Sequence, residues 1–288
     1  MCQLLGISSS SPTSNRTAVL LRPFYDRGGA TDCHSHGWGL AVLRKDGGWD
    51  IYNETNPAAT SLKAKEMIFN AQQHQLVSTN MISHIRYATM GEVCLENVHP
   101  FKRSLFGLEF VFAHNGDVDI SQWKARGSSQ DHLSSSWWQD GPYQPYGGTD
   151  SEFCFCLILN HIHHQFAYLP TLEELYFAIE EICLDLCTQQ EGTILNFLLG
   201  FGEVLFGFSW PGKRPGSHVW NSLHYSLQHD FNAQAAIITT KPLTEAAEEW
   251  IEFQKGDLLL FVNGRLISLD SICNIRYDGM CNERRPSI

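Results

Sequence analysis

Short apolar runs bounded by Gly, Asn or Asp recur along the chain, rich in Val, Ile, Phe and Leu. Such runs predict strands at residues 37–44, 81–86, 109–114, 192–199, 203–210, 235–240 and 257–269. The last is broken by Asn263-Gly264, a two-residue hairpin signal that splits it into two antiparallel strands. Helical periodicity appears in fewer places. Residues 171–189 put Leu172, Leu175, Tyr176, Ile179, Ile182, Cys183 and Leu186 on one stripe behind Thr171 and Glu174 in capping-box spacing. Residues 61–76 and 149–164 are two further predicted helices, the second opening on Thr149 and Glu152 in the same spacing. Hairpin-rich strands with amphipathic helices imply layered α+β packing rather than a doubly wound parallel sheet. Residues 117–148 form the one long irregular stretch, readable as a mobile cover over a site or as a surface insertion.

Composition narrows the class. The chain has 288 residues, 43% of them hydrophobic, which is enough for a substantial core. The 20 basic and 31 acidic residues give a net charge of −11, which disfavours a nucleic-acid partner. No apolar run reaches the roughly 20 residues that a membrane span needs, and no secretory signal is visible. Nine cysteines without a regular framework suit free thiols, so a cytoplasmic location is expected.

Cys2 is the first candidate for chemistry. Removal of Met1 would place a nucleophilic sulfur and a free α-amine on one residue. An amine with an ordinary pKa of about 7.7–8.0 can act as base near neutral pH, so no separate histidine is needed. A small residue after the initiator is the plainer explanation of that position. His34 with His36, and the group His161, His163 and His164, lack partner ligands at convincing spacing, so no metal is expected. No phosphate-binding or dinucleotide motif is present, and no cofactor is expected.

Cys2 does not stand alone. Asp26-Arg27-Gly28-Gly29 and Gly37-Trp38-Gly39 follow it, then His84-Ile85-Arg86-Tyr87-Ala88-Thr89-Met90-Gly91 and Asn97-Val98-His99-Pro100-Phe101. Phe112-Ala113-His114-Asn115-Gly116 and Thr149-Asp150-Ser151-Glu152 complete the series, in that order. This set resembles the class II glutamine amidotransferases, whose nucleophile is the N-terminal residue (Ntn-type). The nearest likeness is to the stand-alone YafJ-like branch and to relatives that hydrolyse γ-glutamyl thiols. The motifs cover about residues 2–160; Lys241-Pro242-Leu243-Thr244, Trp250 and Gly256-Asp257 look like that branch's C-terminal half.

The resemblance implies the Ntn-hydrolase αββα sandwich, two antiparallel sheets flanked by helices. It also implies a single domain over 2–270 with a C-terminal extension at 271–288. Cys2 would attack the γ-amide, with Asn115 and Gly116 forming the oxyanion hole. Arg86 would hold the α-carboxylate and Asp150 the α-ammonium, with Tyr87, Thr89 and His99 lining the pocket. Arg27, Trp38 and Gly39 would be framework beside the nucleophile. Each has a plainer explanation too: Asn-Gly is a common turn, and Asp in a first helical turn is ordinary capping. The expected activity is cleavage of glutamine or a γ-glutamyl compound through a thioester, releasing glutamate. The alternative is a non-catalytic γ-glutamyl-binding subunit of a larger complex. The small-molecule substrate is the expected partner; either a separate subunit accepts the ammonia, or another γ-glutamyl amide bond is hydrolysed.

Overall fold

The computed structural model describes residues 2–13, 15–121, 138, 140–230, 233–243, 250–273 and 275. Two antiparallel sheets lie face to face. The first contains β1 (Gln3–Thr13), β2 (Trp38–Leu43), β3 (Trp49–Glu54), β4 (Ser78–Ile85), β9 (His224–Asp230), β10 (Ala233–Thr239) and β11 (Ile251–Glu252), in the order β11-β9-β10-β1-β4-β2-β3. The second contains β5 (Phe101–Leu105), β6 (Leu108–Asp117), β7 (Ile194–Phe201), β8 (Val204–Trp210), β12 (Asp257–Val262) and β13 (Arg265–Ile267), in the order β13-β12-β8-β7-β6-β5.

Helices cover both outer faces, so both faces of each sheet are buried. Along β6, Phe110 and Phe112 point out to the helices while Val111 and Ala113 point in to the other sheet. Along β7, Phe197 and Leu199 face out and Leu198 faces in. A strand buried on both sides reads as a continuous apolar run rather than an alternation, which is the pattern seen in the sequence. Helices α1 (Asn15–Asp26) and α2 (Leu62–Gln72) cover the first sheet, with Leu21, Phe24 and Met67 against Leu5, Leu40 and Ile85. Helices α3 (Asp150–Gln165) and α4 (Leu172–Thr188) cover the second, with Phe155, Ile158 and Ile179 against Phe112, Phe197 and Phe208. The result is the αββα sandwich expected from the resemblance.

The predicted strands and helices are all present, with ends shifted by a few residues. Asn263 and Gly264 turn the β12–β13 hairpin with φ of 51° and 76°, a left-handed pair that Asn-Gly accommodates well. Both faces of the Thr171 capping box form. The box predicted at Thr149 and Glu152 is only half made: Thr149 accepts the Glu152 N–H at 3.2 Å, but the Glu152 carboxylate turns instead to Arg103 and to the Gly147 N–H. Strands β1, β3, β5, β9 and β11 and helix α1 were not predicted. A short helix, α5 (Leu269–Ile272), crosses the expected boundary at residue 270, with Ile272 buried against the second sheet. Most of the irregular stretch at 117–148 lies outside the described residues, as do Met1 and residues 276–288. The eight described cysteines are all free thiols. Among the described residues no helix is long and apolar enough to cross a membrane.

Candidate active site

Cys2 stands at the start of β1, the middle strand of the first sheet. Several contacts fix that start. The Leu4 N–H donates to Thr240 Oγ1 at 3.2 Å, and Thr240 in turn donates to Gln3 Oε1 at 2.9 Å. Arg27, from the turn after α1, reaches Gln3 Oε1 and the carbonyls of Lys241 and Pro242. Arg27 thus clamps the residue after the cysteine to the segment following β10. Trp38 is fully buried on β2 and donates to Glu54 Oε2 at 3.2 Å.

The sulfur lies against the turn that leaves β4. The Tyr87 N–H donates to Cys2 Sγ at 3.3 Å, and the thiol points at the Tyr87 carbonyl at 3.6 Å. Burial pushes the thiol's pKa above its ordinary value; the Tyr87 N–H and the nearby Arg86 charge oppose that rise, and Asp150 adds to it. Arg86 and Asp150 are therefore both within electrostatic reach of the sulfur. The Tyr87 ring packs against His36, with centroids 5.3 Å apart. His36 Nδ1 accepts the Ala88 N–H at 2.9 Å. Thr89, further along the same turn, is exposed.

The Arg86 guanidinium is buried and engaged by backbone. It donates to the carbonyls of Glu92 at 2.8 Å, Met90 at 3.1 Å and Gly91 at 3.4 Å. Asn97 extends the same scaffold, donating to the Glu92 carbonyl and accepting the Gly148 N–H at 3.0 Å. That ties the Arg86 loop to the start of α3, where Asp150 is buried with its Oδ2 accepting the Val118 N–H at 3.0 Å.

Val118 follows directly on β6, whose end carries Asn115 and Gly116. Asn115 is 1% exposed, and neither atom of its side-chain amide has a hydrogen-bond partner among the described residues. A buried amide left unpaired costs roughly 1–3 kcal/mol, so such a group is uncommon without a role. Gly116 admits no side chain: a Cβ there would lie 2.0 Å from the Ile194 carbonyl oxygen and 2.3 Å from His114 Nε2. Arg214, from the segment after β8, donates to the Gly116 carbonyl at 3.0 Å and pairs with Asp117 at 3.0 Å.

His99 is turned inward. Its Nδ1 accepts the His114 N–H at 3.3 Å, and its ring lies 4.1 Å from that of His84. His84, His99 and His114 are all buried, and burial holds each below the ordinary histidine range. His114 Nδ1 also meets Ser151 Oγ at 2.8 Å. Motif reading did not single out His84, Arg214 or Asn196, although Asn196 interrupts an otherwise apolar run, which is a usable signal. Two clefts, of about 590 and 450 Å³, lie elsewhere, around Leu43, Phe201 and Val204 and around Cys187, Thr193 and Lys255.

Cys2, the buried Arg86 cation and the buried Asp150 carboxylate thus lie in one neighbourhood, at the starts of β1 and α3 and the end of β4, with the end of β6 tied to it through Val118 and Asp150. Known proteins resemble the chain in sequence and in fold. The family model for class II glutamine amidotransferases matches residues 1–214. A candidate glutamine amidotransferase of Haemophilus influenzae is 34% identical over 93% of this chain and 86% of its own length. The Escherichia coli candidate glutamine amidotransferase YafJ is 29% identical over 93% of this chain and its own full length. In structure, the chain is similar to a predicted glutamine amidotransferase of Pseudomonas aeruginosa, with a TM-score of 0.59, 25% identity, and coverage of 93% of this chain and all of that one. The fold is also that of the B. subtilis glutamine phosphoribosylpyrophosphate amidotransferase, with a TM-score of 0.61 and 17% identity over 92% of this chain and 48% of that one. With the family match spanning most of its length and the sandwich formed, the chain belongs to the class II glutamine amidotransferases.

Proposed function

We propose that the chain cleaves the γ-amide of glutamine, or of a related γ-glutamyl compound, with Cys2 as nucleophile. Once Met1 is removed, the Cys2 α-amine takes the thiol proton and the sulfur attacks the γ-carbonyl carbon. The new C–S bond puts a negative charge on the carbonyl oxygen, which the Asn115 side-chain amide and the Gly116 N–H stabilise. The C–N bond then breaks as the α-ammonium returns its proton to the leaving amine. Water hydrolyses the resulting thioester, releasing glutamate and the free thiol.

Asp150 binds the substrate ammonium and Arg86 its carboxylate. Three of the Arg86 donor contacts hold the 90–92 carbonyls, so it acts partly by shaping the loop around the substrate. Tyr87, Thr89 and His99 complete the pocket, His99 from behind. The observation that carries the proposal is the buried amide of Asn115, which has no hydrogen-bond partner among the described residues: a donor already desolvated and uncommitted is available when charge develops. The reaction takes place in the cytoplasm, on a small-molecule substrate.

The test is glutamate release from glutamine, glutathione and other γ-glutamyl amides by the chain with Met1 removed. We expect turnover in the wild type and none in Cys2→Ala. A fully active Cys2→Ala variant would overturn the assignment. Retention of Met1 on the cellular protein, read by intact mass, would instead favour a γ-glutamyl-binding subunit.

A further inference from the structure

We infer that Asn196 is a positioning residue for the Asn115–Gly116 peptide, aligning the Gly116 N–H that faces the developing oxyanion. The inference rests on the reading of Asn115 and Gly116 given above.

Three buried polar residues lie in one row across the second sheet. Asn115 on β6 pairs with Asn196 on β7, and Asn196 pairs with Ser209 on β8. Their exposures are 1%, 0% and 0%. Further along β7 the same face carries Leu198, packed between the sheets. The row is therefore a polar strip at the active-site end of an apolar layer, where every hydrogen bond has consequences.

Asn196 is saturated where Asn115 is not. Its Nδ2 donates to the Asn115 carbonyl at 3.2 Å and to the Asn221 carbonyl at 3.4 Å. Its Oδ1 accepts the Ser209 hydroxyl at 2.7 Å. Two carbonyls can only accept, so the amide can stand only this way round.

The first of these bonds matters most. The Asn115 carbonyl belongs to the same peptide unit as the Gly116 N–H. In a trans, planar peptide the two point in opposite directions. Fixing the carbonyl on Asn196 thus fixes the N–H on the far side, and polarising the carbonyl strengthens the N–H as a donor. Arg214 holds the next carbonyl, that of Gly116. The donor peptide is gripped on both sides, which is the preorganisation that oxyanion stabilisation requires.

A purely structural role predicts something different from a positioning role. Asn80 provides the control: it is equally buried and donates to two carbonyls, of Gly202 and Val204, each at 3.1 Å, around the β7–β8 turn. We expect Asn196→Leu to lower kcat for glutamine by about 10- to 100-fold with KM within about twofold. Affinity for a glutamate γ-aldehyde, which forms a tetrahedral adduct with Cys2, should fall by a similar factor. Asn80→Leu should lower the melting temperature yet leave kcat and aldehyde affinity as in the wild type. Asn196→Ser, too short to reach the Asn115 carbonyl, should repeat the Asn196→Leu result if the larger residue prevents folding. Combining Asn115→Ala with Asn196→Leu should cost less than the product of the two, since both act on one oxyanion site. An active wild type with an equally active, folded Asn196→Leu or Asn196→Ser overturns this inference alone. A wild type that releases no glutamate and binds no aldehyde overturns the site reading, and this inference with it.

Discussion

His84 is a buried ring in surroundings that disfavour its charged form. It is fully buried on β4, with neither ring nitrogen hydrogen-bonded to a described residue. Burial, then the nearby Arg86 charge, then His114 and His34 push its pKa well below the ordinary value. His99 is lowered by burial and by His84, and His114 by burial against the opposing charge of Asp150. The sign of the consequence follows. Below about 6.5 the unfolded chain binds protons that these buried rings refuse, so stability is complete above that pH and is lost as pH falls below it. Melting temperature should therefore decline from pH 7 to pH 5, and His84→Phe should flatten the decline. A wild-type melting temperature that held steady across that interval would contradict this account. At this scale the candidate residues Cys2, Arg86, Asn115, Gly116 and Asp150 could be picked out because they sit in recognisable strings. The bonds of the Arg86 guanidinium could not, since its partners are backbone carbonyls of a loop whose path the sequence does not specify.

Elements differed in how clearly the chain announced them. Helix α4 was readable from a Thr171–Glu174 box and an apolar stripe, as expected of a helix with one side packed. Thr171 accepts the Glu174 N–H at 3.2 Å, while the Glu174 carboxylate accepts the Thr171 N–H at 2.7 Å. Thr171→Ala should cost about 1 kcal/mol, read as a modest fall in melting temperature with unchanged glutamate release. No measurable loss would show that water replaces the cap at no cost. Strand β1 was missed for the opposite reason. Its Ser8 and Ser9 are buried, and their hydroxyls serve the Gly264 N–H and the Ser11 and Gln234 carbonyls. Buried serines satisfied by distant backbone read locally as loop. Helix α1 carries Pro23 and no acidic first turn, so it lacked the usual start signal.

For the molecule as a whole, the layered class could be read from the sequence because apolar strands joined by hairpins and one-sided helices bury their apolar faces by stacking in layers. The sheet order could not, because it depends on pairings between distant strands. Asn196 shows the limit well: its partner Asn115 is 81 positions away, and only the β6–β7 register brings them together. The family match ends at residue 214, yet β1, the strand that follows Cys2, is completed by β10, at Ala233–Thr239. A chain ending at Asp230 should keep the β6–β7–β8 core but leave β1 without one neighbour. We expect it to release no glutamate and its Cys2 to alkylate faster than in the full chain; native-like activity would refute this dependence.

The clamp between Arg27, Gln3 and residues 240–242 has a consequence in time as well as in space. Leu4 and Thr240 are 236 positions apart. During synthesis Leu4 is made long before Thr240, so the contact that locks the neighbours of the cysteine closes late. The frame around Cys2 is therefore incomplete until residues 240–242 have been made, and the activity proposed above cannot begin before then.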